Sequence, residues 1–168
     1  MTISLYQAAV PVYQRTLGNL KTILQKGEAH AVAKKIDPAV LLGSRLYPDM
    51  FALTRQVQIA ADNAKGGSAR LSGRDIPKYE DNESTFAELY ARIDKTLAFI
   101  GTIKPEEIDG QEDRAIVITA GGQERHFKGQ AYLLHWALPN FFFHVMAAYA
   151  ILRHNGVEIG KMDYLGQF

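Results

Sequence analysis

The chemistry open to this chain rests on its histidines. It contains no cysteine, so thiolate metal sites and thiol nucleophiles are excluded and any nucleophile is an oxygen or a nitrogen. Five imidazoles remain, His30, His126, His135, His144 and His154, and imidazole is the side chain best suited to ligate a metal or move a proton near neutral pH. Spacing restricts what they can do together. An α-helix turns once in about 3.6 residues, so His135 and His144 face opposite ways on a continuous helix. His154 lies nearer to His144 in angle but roughly 15 Å along the axis, and no two histidines form the i, i+4 pair of a helical metal site. Asn140 does stand four residues before His144 in "NFFFHVMAAYAILRHNG". An amide donates and accepts hydrogen bonds but is a weak ligand for zinc, nickel or copper. From these residues alone His144 is a metal ligand, a proton carrier or a core imidazole. The last is the ordinary state of a buried polar group that has found a partner.

The other motifs carry less. Gly66-Gly67 and Gly121-Gly122 lack the strand-to-helix setting and the lysine or acidic partner of a nucleotide loop, and both read as turns. No serine sits in a nucleophile elbow. Glu106, Glu107, Asp109, Glu112 and Asp113 cluster in a loop, where a solvated charge run is expected. Arg45, Arg55, Lys65, Arg70 and Arg74 have no interleaved aromatics of the kind that single-stranded nucleic acid favours, and read as solubilising charge.

With 19 basic against 18 acidic side chains the net charge is +1, so no global field gathers phosphates, and nucleic acid is not an expected partner. A chain of 168 residues, 47% hydrophobic and 22% charged, suits one domain over residues 1–168 with a single core. The N-terminal segment lacks the pattern of a signal peptide, which makes the cytoplasm the expected location. Residues 131–152 run without a formal charge for long enough to cross a bilayer. They contain His135, Pro139, Asn140 and His144 and have no companion span, so a buried central helix is expected instead of a membrane span.

Four helices must position these groups. Ile3, Tyr6, Val10, Tyr13, Leu17, Leu20 and Leu24 recur at steps of three and four residues and mark the face of a long first helix. Pro11 should bend it or split off its first turns, and Gly27 should close it. Pro38 after Asp37 suits a short helical turn. A second helix is expected to open at Pro48-Asp49, to bury Met50, Leu53, Val57, Ala60, Ala61 and Ala64, and to stop at Gly66-Gly67. The segment from Ser68 to Ser84 reads as a polar loop. Thr85 and Glu88 form a capping box for a third helix whose buried face runs from Phe86 to Ile100. Residues 115–129 predict a β-hairpin turning at Ala120-Gly121-Gly122-Gln123. The fourth helix is the apolar one, bent at Pro139 and ending near Asn155-Gly156. The fold class is all-α, a four-helix bundle with a small β-hairpin between helices three and four.

The segment "HVMAAYAILRHNG", with His144, Leu152-Arg153 and Gly156, resembles the end of the fourth helix in the DinB/YfiT-like superfamily of four-helix bundles. "ISLYQAAVPVY", "LYPDMFALTRQVQIAADNAK", "TFAELYARIDKTLAFI" and "ALPNFFFHVMAAYAILRHNGVEIGKMDYLG" resemble a bacterial family of unknown function within it. Metal-binding members offer one histidine from helix two and an H-x-x-x-H pair from helix four. Here only His144 matches; Asn140 takes the first helix-four position, and the resemblance puts Gln56 at the helix-two position. It therefore implies a degenerate metal site. Gln56, Asn140 and His144 would form a polar patch in an inter-helix pocket for a small molecule. Two alternatives follow from the same resemblance. One is a metal-dependent hydrolase or thiol-dependent transferase, with zinc or nickel on His144, Asn140 and a further oxygen from Asp49 or Asp62. The other is a non-catalytic structural protein. A homodimer is the assembly the superfamily implies.

Overall fold

The computed structural model of the chain describes residues 3–167. It contains eight helices among those residues, α1 (Leu5–Lys34), α2 (Pro38–Gly43), α3 (Leu53–Ser72), α4 (Phe86–Ile100), α5 (Pro105–Ile108), α6 (Gly129–Tyr132), α7 (Leu138–His154) and α8 (Lys161–Leu165). Strands β1 (Ala115–Ala120) and β2 (Gln123–Lys128) lie between α5 and α6. A π-helical turn, Leu133–Ala137, joins α6 to α7. The bundle is formed by α1, α3, α4 and α7. Its neighbours run in the order α1, α4, α3, α7, and the α3–α7 contact is the most extensive.

Local rules explain most of the helix ends. Ser4 caps α1 with a box closed by Gln7, and Thr85 caps α4 with a box closed by Glu88, so each pair satisfies orphan amides at a helix start. Asp37 accepts the Ala39 amide ahead of Pro38, which opens α2. The hairpin is antiparallel, with Ala120 opposite Gln123 across Gly121 and Gly122, both at positive φ. Ile116 and Ile118 point into the core from alternate positions of β1, as a half-buried strand requires.

Tertiary contacts overrule the sequence expectation at four places. First, α1 is continuous through Pro11 and Gly27 and ends only at Lys35 in the left-handed conformation. Pro11 is exposed, and Gly27 is a seat for Leu152, whose Cδ2 would lie 2.9 Å from an added Cβ. Second, α3 begins at Leu53 and not at Pro48-Asp49, which lie in the preceding turn, where the Met50 amide bonds to the Tyr47 carbonyl at 3.0 Å. Third, Gly66-Gly67 do not end α3, which continues to Ser72 and stops at Gly73 with φ of 74°. Gly67 is there for close approach of another helix: a Cβ on it would stand 2.6 Å from the Tyr13 hydroxyl.

The fourth correction concerns α7. It is one of four bundle helices and not a helix wrapped on all sides. Phe141, Val145, Ala148 and Leu152 are buried at helical spacing, whereas Pro139, Phe143 and Met146 form an exposed stripe. Pro139 follows the π turn within a helical run that begins at Gly129, so the ladder hydrogen bond it removes falls at that junction. The irregularity expected at the proline lies just upstream, in the π turn. No helix is long and apolar enough to cross a membrane among the described residues.

Candidate functional site

His144 lies near the middle of α7 and Gln56 one turn into α3, and the packing of these two helices brings them together. His144 Nδ1 is 2.7 Å from Gln56 Oε1. The amide nitrogen of Gln56 donates to the Phe51 carbonyl at 3.2 Å, which fixes the orientation of the amide and leaves Oε1 to face the ring. An amide oxygen only accepts, so Nδ1 carries the proton and Nε2 keeps its lone pair. A backbone carbonyl thus holds the glutamine, and the glutamine holds the tautomer. The same logic orients histidines in metal and proton-transfer sites, where the partner of one ring nitrogen decides the chemistry of the other.

The imidazole is 9% exposed. Burial lowers its pKa below the ordinary histidine value, and the positive charge of Arg55 lowers it further. Both effects disfavour the imidazolium, so the ring is neutral at pH 7. Phe143 stands edge-on to it, with ring centroids 5.2 Å apart. Phe143 is 59% exposed, Phe51 52% and Met146 46%. The buried polar pair is thus flanked by the exposed ring of Phe143 and held by the backbone of Phe51.

Asn140, the third residue expected here, is half-buried and turned along its own helix, where its amide nitrogen donates to the Trp136 carbonyl at 2.8 Å. That bond crosses the π turn. The oxygen donors considered for a metal are placed otherwise as well. The Asp62 carboxylate is engaged by Arg92 and Lys65, each at 2.9 Å, and Asp49 lies in the turn before α3. Among the described residues no three His, Asp or Glu side chains are grouped to hold a metal ion. A stable site needs about three good ligands. One imidazole with a glutamine spent on its far nitrogen does not fit a zinc or nickel centre.

Two surface clefts fall elsewhere. One of about 820 Å³ is lined by Asn19 and Thr22 of α1 and by Met162 and Asp163 of α8. Another of about 240 Å³ is lined by Leu5, Ala8, Gln130 and Leu134.

The family model described as "Domain of unknown function (DUF1993)" matches residues 5–165. The chain belongs to the DUF1993 family. No curated protein matches it. A solved structure of a DinB family member protein from Shewanella denitrificans is 44% identical, covers 98% of this chain and 93% of its own, and superposes with a TM-score of 0.90. The resemblance drawn from the four sequence segments is thereby borne out, as is the DinB-like bundle with its hairpin.

In this DUF1993 chain the residue that sequence reading missed at the site is Arg55. It was read as solubilising charge, yet it adjoins Gln56, donates to Gln58 Oε1 at 3.1 Å and pairs with the Asp81 carboxylate. A signal was present: Arg55, Gln58, Asp62 and Lys65 are spaced by three, four and three residues, a polar stripe on a helix whose other face is apolar. Lys65, also read as solubilising, is 5% exposed.

Proposed function

We propose that this DUF1993 protein binds a small organic molecule over the Gln56–His144 pair, with His144 Nε2 accepting a hydrogen bond from a ligand N–H or O–H. The observation that carries this reading is the orientation of the pair, in which Gln56 takes the Nδ1 proton and leaves a neutral Nε2. Phe51 and Phe143 would supply the apolar contact that small-molecule sites use to hold a ligand body. The same nitrogen is a proton acceptor for a reacting ligand.

Accessibility separates this reading from a sealed core imidazole. Diethyl pyrocarbonate acylates unprotonated imidazole nitrogens, and mass spectrometry at pH 7 should find His144 modified at Nε2. Protection of His144 while exposed His126 and His135 react would sink the proposal.

The pKa direction yields a second prediction. The unfolded chain binds its His144 proton near pH 6.5, whereas the folded protein binds it only at lower pH. The unfolded state holds more protons in that window, so this group's stability is full above about pH 6.5 and is lost as pH falls through it. Chemical denaturation between pH 7.5 and 5.5 should show that decline, and His144→Gln should flatten it. In Arg55→Gln the His144 pKa, followed by NMR, should rise. An unchanged value would remove Arg55 from the site.

The exposed stripe of Pro139, Phe143 and Met146 supports a second reading, in which two copies associate through α7. Light scattering on wild type and Phe143→Glu tests it: a dimer that becomes monomeric in the variant is the expected result, and a monomer in both discards it.

A further inference from the structure

A second polar centre lies where residues 74–85 cross α3 and α4. Arg92 of α4 is at its middle, with a fully buried side chain. One guanidinium nitrogen bonds to Asp62 at 2.9 Å and Asp81 at 2.7 Å. The other bonds to Glu83 and to the Glu80 carbonyl, each at 2.9 Å. Gln58 donates to Glu83 at 2.9 Å, and Arg55 pairs with Asp81. The Lys65 and Lys95 ammonium groups each stand 3.7 Å from the centroid of the Tyr79 ring. Desolvation pushes the Asp81 carboxyl up, but the hydrogen bond from Arg55 and the charges of Arg92 and Arg55 outweigh it and hold the pKa below the usual carboxylate range.

The way the crossing segment is held sets it apart from an ordinary loop. No apolar or aromatic residue of 74–85 is buried, Ile76 and Tyr79 included. No apolar side chain anchors the segment, and its hold is ionic, hydrogen-bonded and cation–π. The helices alone would present Arg55, Lys65, Arg92 and Lys95 against one groove carboxylate, Asp62. Glu88 lies at the rim, its carboxylate taken by the Ser84 and Thr85 amides. The segment brings the balancing charges, Asp81 and Glu83. Within this pairing the Arg92 Nε is buried and without a partner, so the guanidinium is less than fully matched by its present occupants.

We propose that the α3–α4 groove is an anion-binding site whose resident occupant is the protein's own acidic segment, and that a compact free polyanion displaces Asp81 and Glu83 from it. A tethered carboxylate competes at an effective concentration in the millimolar range. The free ligand therefore meets a self-occupied site, and it binds more tightly once the tethered charges are gone.

Pyrophosphate in magnesium-free buffer is the probe. Calorimetry should show it binding about tenfold more tightly to Asp81→Asn/Glu83→Gln than to wild type. At saturating pyrophosphate, hydrogen exchange in the wild type should accelerate across residues 74–85 while the bundle amides stay protected. Equal affinity in both proteins, or a segment that stays protected with the ligand bound, would make the contact a structural staple and overturn the proposal. Lys95→Gln, at an exposed position, tests the groove without disturbing the network carboxylates. It should keep the wild-type melting temperature and weaken pyrophosphate several-fold; unaltered affinity counts against the site.

Discussion

Replacing Arg92 by methionine should lower the unfolding free energy by about 3 kcal/mol, near the low end of what loss of one partner from a buried ion pair costs. The side chain is fully buried, and Glu83 beside it is only 9% exposed. After the substitution the Glu80 carbonyl loses its donor, and Glu83 loses its charge partner and keeps only the Gln58 amide. The penalty stays near the low end because Asp62 retains Lys65 and Asp81 retains Arg55, and both carboxylates are 37% exposed to water. Arg92→Lys should recover only part of the loss, because one ammonium cannot reproduce a planar fork that bonds to three carboxylates and a carbonyl. Urea denaturation of the three proteins checks this, read as a fall in midpoint without a change in slope. A methionine variant as stable as wild type would mean that the network is neutral in folding.

Gly67→Ala should destabilise by about 2 kcal/mol even though alanine is the better helix former by about 1 kcal/mol. The new Cβ would lie 2.6 Å from the Tyr13 hydroxyl and 3.2 Å from its ring carbon Cζ. Tyr13 has little freedom to retreat, being fully buried with its ring edge-on to Phe141 at 4.9 Å. Its hydroxyl has no hydrogen-bond partner, so Tyr13→Phe should be neutral or slightly stabilising, because it removes an unsatisfied buried group. The double variant Tyr13→Phe/Gly67→Ala should then recover more than half of the loss. Such non-additivity is expected only of groups in contact. Thermal melts of the four proteins give the cycle, and strictly additive shifts would show that the clash is relieved elsewhere.

The two positions show where the sequence was legible. Stripes such as Phe86, Leu89, Ile93 and Ile100, and caps such as Thr85 with Glu88, are local, so the number of bundle helices and the hairpin could be read directly. Gly67 could not. A glycine that ends a helix and one that admits a tyrosine from another helix look alike in sequence, and Tyr13 lies 54 residues away. Arg92 was passed over for a similar reason, since its carboxylate partners are gathered from α3 and from the crossing segment. The Gln56–His144 contact spans 88 residues. Periodicity gave no reason to pair a glutamine in one helix with an imidazole in another, and only the resemblance of the chain to its family put Gln56 forward. Asn140 was offered both by its spacing from His144 and by the resemblance, and there the backbone carbonyl of Trp136 supplied a nearer partner.

The π turn of residues 133–137 has its own consequence for how the two ends of this helical run are set. Upstream, the hairpin fixes the chain through Phe127, whose ring centroid lies 6.0 Å from that of Tyr132 and 5.8 Å from that of Trp136. Downstream, α3 fixes it through the Gln56–His144 bond. A uniform α-helix would lock the rotation of one end to the other at about 100° per residue, whereas a turn bonded i to i+5 holds more residues per turn and shifts the phase. The phase before the turn is thus set by the hairpin's aromatic stack and the phase after it by the bond to the glutamine, and the extra residue in the turn is what lets both be met at once.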